Sequence, residues 1–188
     1  MLNIIDDFIK PRFQDDIEKL LLGGNFPYFY ITESINMHDP GTIMETNDAL
    51  NVPQFFHMFV KDGQISSQYY NNISSISNKL IDTIDIDCHM NRCKVNMNTI
   101  DSRFGDRYHT PHIDNGFQEQ ITAIYYVNDS DGDTFFFDNS GNITERLTPK
   151  KGRVVWWKGR IFHAKSSPTK KENRVVINFN LLPYGDME

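Results

Sequence analysis

Cysteine is scarce: Cys88 and Cys93 are the only two in 188 residues. They have no second pair, so neither a disulfide framework nor a CxxC metal motif is expected, and both are read as reduced thiols. Long hydrophobic runs are missing as well. No stretch approaches the ~18 apolar residues of a spanning helix, mean hydropathy is −0.50, and the opening MLNIIDDFIKP lacks the basic and apolar regions of a signal peptide. The expectation is a soluble, cytoplasmic protein without a membrane partner. Positive charge is in deficit, 19 lysines and arginines against 25 acids for a net charge of −6, which argues against general nucleic-acid binding. There is no P-loop or GxGxxG cradle, and Ser166-Ser167-Pro168 has no nucleophile-elbow context, so nucleotide-dependent and nucleophilic chemistries lose support.

What is present is enough apolar material for a core, 39% hydrophobic and 13% aromatic residues, in a length that suits a single domain over residues 1–188. Within it, residues 1–92 read as a helical support and lid region and residues 93–188 as a β-rich core. Leu2 to Ile5 is a short apolar strand. Pro11 followed by Phe13, Ile17, Leu20 and Leu21 has helical spacing, as do Tyr69, Ile73, Ile76, Leu80 and Ile84. Between them, Asn25 to Pro53 has no clean period and reads as a long loop, a candidate lid, before a strand at Gln54 to Val60 that turns at Asp62-Gly63. Beyond Cys93 come short β-type runs at Lys94–Ile100, Thr110–Asp114, Ile121–Val127, Thr134–Phe137, Arg153–Trp157 and Arg174–Leu181. Turn pairs Asn115-Gly116, Asp131-Gly132 and Ser140-Gly141 break them. The pattern predicts a mainly β protein with supporting α: a double-stranded β-helix, the cupin-like jelly roll, buttressed by N-terminal helices.

His112 and Asp114 stand two apart, so an extended backbone points both to one face. His163, beyond the strand ending at Trp157, supplies a third donor. Two imidazoles and a carboxylate on one side of an ion leave positions open opposite, the facial arrangement of non-haem Fe(II) oxygenases. Alone, HxD and a distant His is a common pattern. Arg174 sharpens it: eleven residues after His163, it opens the last strand, and its guanidinium can clamp one end of a dicarboxylate bidentately while the other end chelates a metal. On that strand Arg174, Val176, Asn178 and Asn180 share one face and Val175, Ile177, Phe179 and Leu181 the other. The polar face is expected to line an interior pocket and the apolar face to meet the helices. His38, His57, His89 and His109 have no spaced partner and read as ordinary core or surface histidines. Of Trp156 and Trp157, one is expected in the core and one at a surface or cleft. Arg146 to Arg174 holds ten of the nineteen basic residues and only Glu172 as an acid; this is either a binding rim or a set of solvated loop charges.

At these residues the chain resembles the prolyl 4-hydroxylase branch of the 2-oxoglutarate/Fe(II) dioxygenases, over roughly the last hundred residues. His-Ile-Asp-Asn at 112–115 and Thr-Ala-Ile-Tyr-Tyr-Val-Asn at 122–128 look like stretches of the hypoxia-inducible-factor prolyl hydroxylases. Gly132-Asp-Thr-Phe135 is similar to the Gly-Glu-Thr-Phe segment of collagen-type enzymes. The resemblance implies Fe(II) on His112, Asp114 and His163, 2-oxoglutarate as co-substrate, O2, and ascorbate as an admissible reductant. It implies that Arg174 and Tyr126 bind the distal carboxylate, with Thr134 as a further hydroxyl partner. Collagen-type enzymes generally place Lys at the Arg174 position. Where the family has a Tyr before the HxD, this chain reads Lys94-Val-Asn-Met-Asn-Thr99, with Asn98 or Asn96 as the candidates. The implied reaction is C–H hydroxylation with succinate and CO2 as co-products, the leading target being proline in a peptide or protein admitted by a groove between the 146–174 and 26–30 segments. A free amino acid, another small molecule or a nucleobase is the alternative, and a non-catalytic jelly-roll binding protein is the rival of another class.

Overall fold

The computed structural model describes residues 1–32, 42–114 and 117–184. Two helices, α1 (Pro11–Leu21) and α2 (Tyr70–Ile84), accompany eleven strands: β1 (Asn3–Ile5), β2 (Phe29–Ile31), β3 (Gln54–Lys61), β4 (Gln64–Ile65), β5 (Cys88–Thr99), β6 (Ile121–Tyr126), β7 (Thr134–Phe137), β8 (Ile143–Leu147), β9 (Val154–Lys158), β10 (Phe162–Lys165) and β11 (Asn173–Pro183). The larger sheet runs β1-β9-β6-β11-β5-β3-β2, with β4 added to β3, and the smaller runs β10-β7-β8. Every pairing is antiparallel. The architecture is the jelly roll that the turn-punctuated pattern predicts.

Period 2 sorts the larger sheet into two faces. Val175, Ile177, Phe179 and Leu181 of β11 are buried with Ile73, Ile76, Leu80 and Ile84 of α2 and with Ile17 and Leu21 of α1 in one core. Pro11 at the first turn of α1, where its missing N–H costs nothing, starts a helix that buries Gln14, Ile17 and Leu21. The opposite face places Ile124, Tyr126, Val155, Trp157 and Val176 against Phe136 and Leu147 of the smaller sheet. The site lies in that second interior.

Several elements differ from expectation. Thr110 to Asp114 is not a strand: only His112 makes bridges there, to Ile43 and His163. β5 begins at Cys88, so the division drawn at residue 92 falls inside a strand. The N-terminal part supplies β1 to β4 as well as two helices. β2 emerges within the 25–53 segment; residues 33–41 of that candidate lid, with His38, and the Asn115-Gly116 turn lie outside the described residues. β8 and β10 had no counterpart in the sequence pattern. Both cysteines are free and buried, and among the described residues no helix is long and apolar enough to cross a membrane.

Candidate active site

His163 reaches the site because β9 ends at Lys158 and Gly159, with φ +86, turns the chain into β10 of the other sheet; that dihedral favours glycine. His112 is pinned beside it by reciprocal backbone bonds: His112 N–H donates to His163 O at 2.9 Å and His163 N–H to His112 O at 3.0 Å. Pro111 biases Thr110 toward the extended backbone this needs. Asp114 follows two residues on. One ligand atom from each of His112, Asp114 and His163 lies within 4.8 Å of the others. His112 Nε2 stands 3.8 Å from Asp114 Oδ1 and His163 Nε2 3.8 Å from Asp114 Oδ2.

The surroundings prepare these donors for a cation. His112 Nδ1 lies 3.2 Å from Thr110 O and His163 Nδ1 3.1 Å from Ile161 O. A carbonyl only accepts, so each Nδ1 carries the proton and each Nε2 keeps its lone pair for a metal. Burial, reinforced by His163, pushes the His112 pKa down to about 3, against the pull of Asp114; the ring is neutral at physiological pH. Burial raises the Asp114 pKa, but Arg92 and the neighbouring cations outweigh it and hold the carboxylate ionised. Arg92 Nη2 donates to Asp114 Oδ1 at 3.1 Å, and Asn178 and Asn180 each donate an Nδ2 hydrogen to Oδ2, at 3.0 and 2.9 Å. Those three chain donors still leave lone pairs on the carboxylate for an ion. Two imidazoles whose Nδ1 atoms face backbone carbonyls and a fixed carboxylate, open on the cavity side, fit Fe(II).

The cavity beside them is lined by residues including Lys94, Asn96, Thr134, Lys165, Arg174 and Asn178, together with the three donors. Arg174 is 1% exposed. Its Nε donates to Gly132 O at 2.7 Å and its Nη2 to Thr134 Oγ1 at 2.8 Å; Thr134 Oγ1 is also 2.8 Å from Tyr126 Oη. A side chain at Gly132 would stand 2.6 Å from Ser166 O and 3.0 Å from Arg174 Cδ, so the glycine admits the guanidinium. The arrangement suits one carboxylate at the Arg174 end and a chelating group at the triad end.

A sequence model of the 2OG-Fe(II) oxygenase superfamily matches residues 98–182, the stretch holding all three donors and Arg174. Residues 98–182 belong to the 2OG-Fe(II) oxygenase superfamily. Enzymes of this superfamily use Fe(II), 2-oxoglutarate and O2, and the donor set and buried arginine fit both iron and co-substrate. No curated protein matches the sequence. Among solved structures, a Trichoplax adhaerens prolyl hydroxylase in complex with a hypoxia-inducible-factor peptide superposes with a TM-score of 0.66 at 14% identity, over 97% of this chain and 83% of that one. An oxidoreductase of the 2OG-Fe(II) oxygenase family from Burkholderia pseudomallei gives 0.69 at 11% identity, over 96% and 84%. A Pseudomonas putida prolyl-4-hydroxylase gives 0.57 at 12%, over 98% and 93%. At such identities the likeness is one of fold.

The remaining candidates divide. Thr134 lines the cavity; Tyr126 and Asn98 are buried next to it but not in its wall. Asn96 is in the wall. Of the other histidines, His57 bonds Pro27 O and Ser67 Oγ, and His109 stacks on Phe104. Trp157 is fully buried with its ring 4.9 Å from that of His163, while Trp156 packs on the helix-side core. The basic 146–174 stretch is not an open rim: Arg146 pairs with Asp106 and Asp133, Lys150 and Arg153 with Asp6, and Lys151 with Asp15 and Glu18. Phe26 is buried among aromatics, leaving Phe29 and Tyr30 exposed. Arg92, Lys94, Gln54 and Lys165 were not singled out from the sequence. For Arg92 and Lys94 the one signal is the alternation along Arg92-Cys-Lys-Val-Asn96, legible once β5 is known to start at Cys88.

Proposed function

We propose that the protein is a 2-oxoglutarate-dependent dioxygenase that hydroxylates a C–H bond, with proline in a peptide or protein as the leading substrate. The observation that supports it is the convergence of His112, Asp114 and His163 on the cavity that Arg174 closes at its other end. Bound Fe(II) with 2-oxoglutarate and O2 supplies the oxidising chemistry, and the co-substrate leaves as succinate and CO2. His112 and His163 offer their Nε2 atoms, and Asp114 a negative charge that Arg92, Asn178 and Asn180 orient. Arg174, braced by Gly132 and Thr134, takes the distal carboxylate in a charge-assisted bond, with Tyr126 steadying Thr134. Proline leads because the Trichoplax relative is a prolyl hydroxylase held with its peptide and the Pseudomonas relative a prolyl-4-hydroxylase.

The test is anaerobic loading with Fe(II) and 2-oxoglutarate, exposure to O2 with a panel of proline-containing peptides, and mass spectrometry of peptide and co-substrate together. Succinate formation coupled to a single added oxygen on proline supports the reading. Succinate coupled to another substrate class removes proline, and absence of both binding and turnover removes the oxygenase assignment.

A further inference from the structure

Four cationic side chains stand on the inner face of the jelly roll. Three are engaged: Arg92 with Asp114 and Asn180, Arg174 with Gly132 and Thr134, and Lys165 with Gln54. Lys94 lines the cavity but has no hydrogen-bond or ion-pair partner among the described residues. Its Cα is directly across from Asn178 in the β5–β11 ladder, and the Nδ2 of Asn178 is committed to Asp114. That fixes the amide orientation, and Asn178 Oδ1 is buried without a partner. The triad end of the cavity thus holds a donor lacking an acceptor beside an acceptor lacking a donor.

The charges point the same way. A divalent ion, Asp114 and the keto-acid carboxylate of 2-oxoglutarate sum to zero, leaving Arg92 and Lys94 positive. At the far end a single distal carboxylate faces both Arg174 and Lys165. The co-substrate therefore does not neutralise the cavity. Lys94 is half-buried, an unpaired ammonium partly withdrawn from water carries a cost, and desolvation, with help from Arg92, draws its pKa down to about 8 against the pull of Asp114. An apolar side chain there would carry no such penalty, and an anion meeting the ammonium would offset it.

We propose that Lys94 is a substrate-binding residue and that the substrate carries a carboxylate near the C–H bond to be oxidised. Asn178 Oδ1 accepts from an N–H next to that carboxylate, which describes an amino acid or an acidic peptide rather than a neutral one. This rests on the oxygenase reading above and narrows its substrate class.

The test is anaerobic calorimetry on the Fe(II)-loaded protein, with 2-oxoglutarate first and then matched acid and amide probes: L-proline against L-prolinamide, and a proline peptide with a neighbouring Glu against the same peptide with Gln. At least one acid is expected to bind at least about tenfold tighter than its amide. The preference should vanish in Lys94→Met and return in Lys94→Arg, while 2-oxoglutarate affinity stays within about threefold throughout. The pair that discriminates says whether the carboxylate belongs to a free amino acid or to a peptide side chain. No acid preference in any pair of wild type overturns the proposal. So does a tenfold loss of 2-oxoglutarate affinity in Lys94→Met, which would place the ammonium on the co-substrate. Failure of wild type to take up Fe(II) and 2-oxoglutarate at all would instead remove the oxygenase reading beneath it.

Discussion

Asn180 Nδ2 donates to Asp114 Oδ2 across 2.9 Å, so the last long strand of the larger sheet sets the orientation of the one carboxylate in the candidate metal site. Removing a group that orients a ligand typically lowers metal affinity by about 10- to 100-fold. Asn178 and Arg92 remain in Asn180→Leu, so the lower end is expected: roughly tenfold weaker Fe(II) binding by anaerobic titration, with 2-oxoglutarate affinity at saturating metal little changed. Unaltered metal affinity would mean that Asn180 merely fills space.

His112→Ala and His163→Ala are expected to abolish succinate formation, because a three-donor facial site does not survive loss of an imidazole. His163 is 5% exposed and packs on Trp157, so its loss also opens a small cavity; cooperative thermal unfolding at a modestly lower temperature should remain. Near-normal turnover with wild-type iron content in either variant would remove that histidine from the site.

Arg174→Ala removes a buried cation from its proposed carboxylate partner. Breaking one side of such a pair costs on the order of 2–5 kcal/mol, so 2-oxoglutarate binding should weaken by at least about thirtyfold while Fe(II) affinity stays within a few-fold. Arg174→Lys falls between, keeping the charge and losing the planar fork. Isothermal titration without oxygen decides; unchanged binding in Arg174→Ala would overturn the assignment.

Lys94 gives a pH signature in the metal-free, ligand-free protein. Its folded pKa, about 8, is below the ~10.4 of an exposed lysine, so between those values the unfolded chain binds the extra proton. Stability should therefore rise with pH across that window and be depressed below it. Lys94→Met is expected to flatten this rise and to raise the melting temperature at pH 7. The same melting temperature in both proteins at pH 7, with parallel pH profiles, would contradict the desolvation of the Lys94 ammonium.

The convergence of the three candidate donors was legible because a carboxylate two residues from a histidine is a local relation, and an arginine opening a strand shortly after the second histidine needs little else. The two faces of β11 were legible for the same reason: period 2 over Arg174 to Leu181 sorts Asn178 and Asn180 inward without knowledge of the fold. β10 was not, since Phe162–Lys165 is too short to display a period. In β8 only Leu147 is buried, so nothing alternates. Lys94 and Lys165 escaped because a lone lysine reads as surface charge. Only the register of β5 against β11, and the turn at Gly159 that carries β10 into the smaller sheet, place them indoors. The basic 146–174 cluster read as a possible rim because its acidic partners, Asp6, Asp15 and Glu18, lie more than a hundred residues away.

Trp157 completes the site in a way unrelated to binding or chemistry. It is one of two tryptophans, fully buried, with its ring edge-on to His163 at 4.9 Å and to Phe136 at 5.2 Å. An indole held rigidly against a ligand of a paramagnetic ion loses its emission when that ion arrives. Quenching of Trp157 emission is therefore the expected signature of a metal arriving at His163, read by titration without a label and separated from Trp156 by Trp156→Phe.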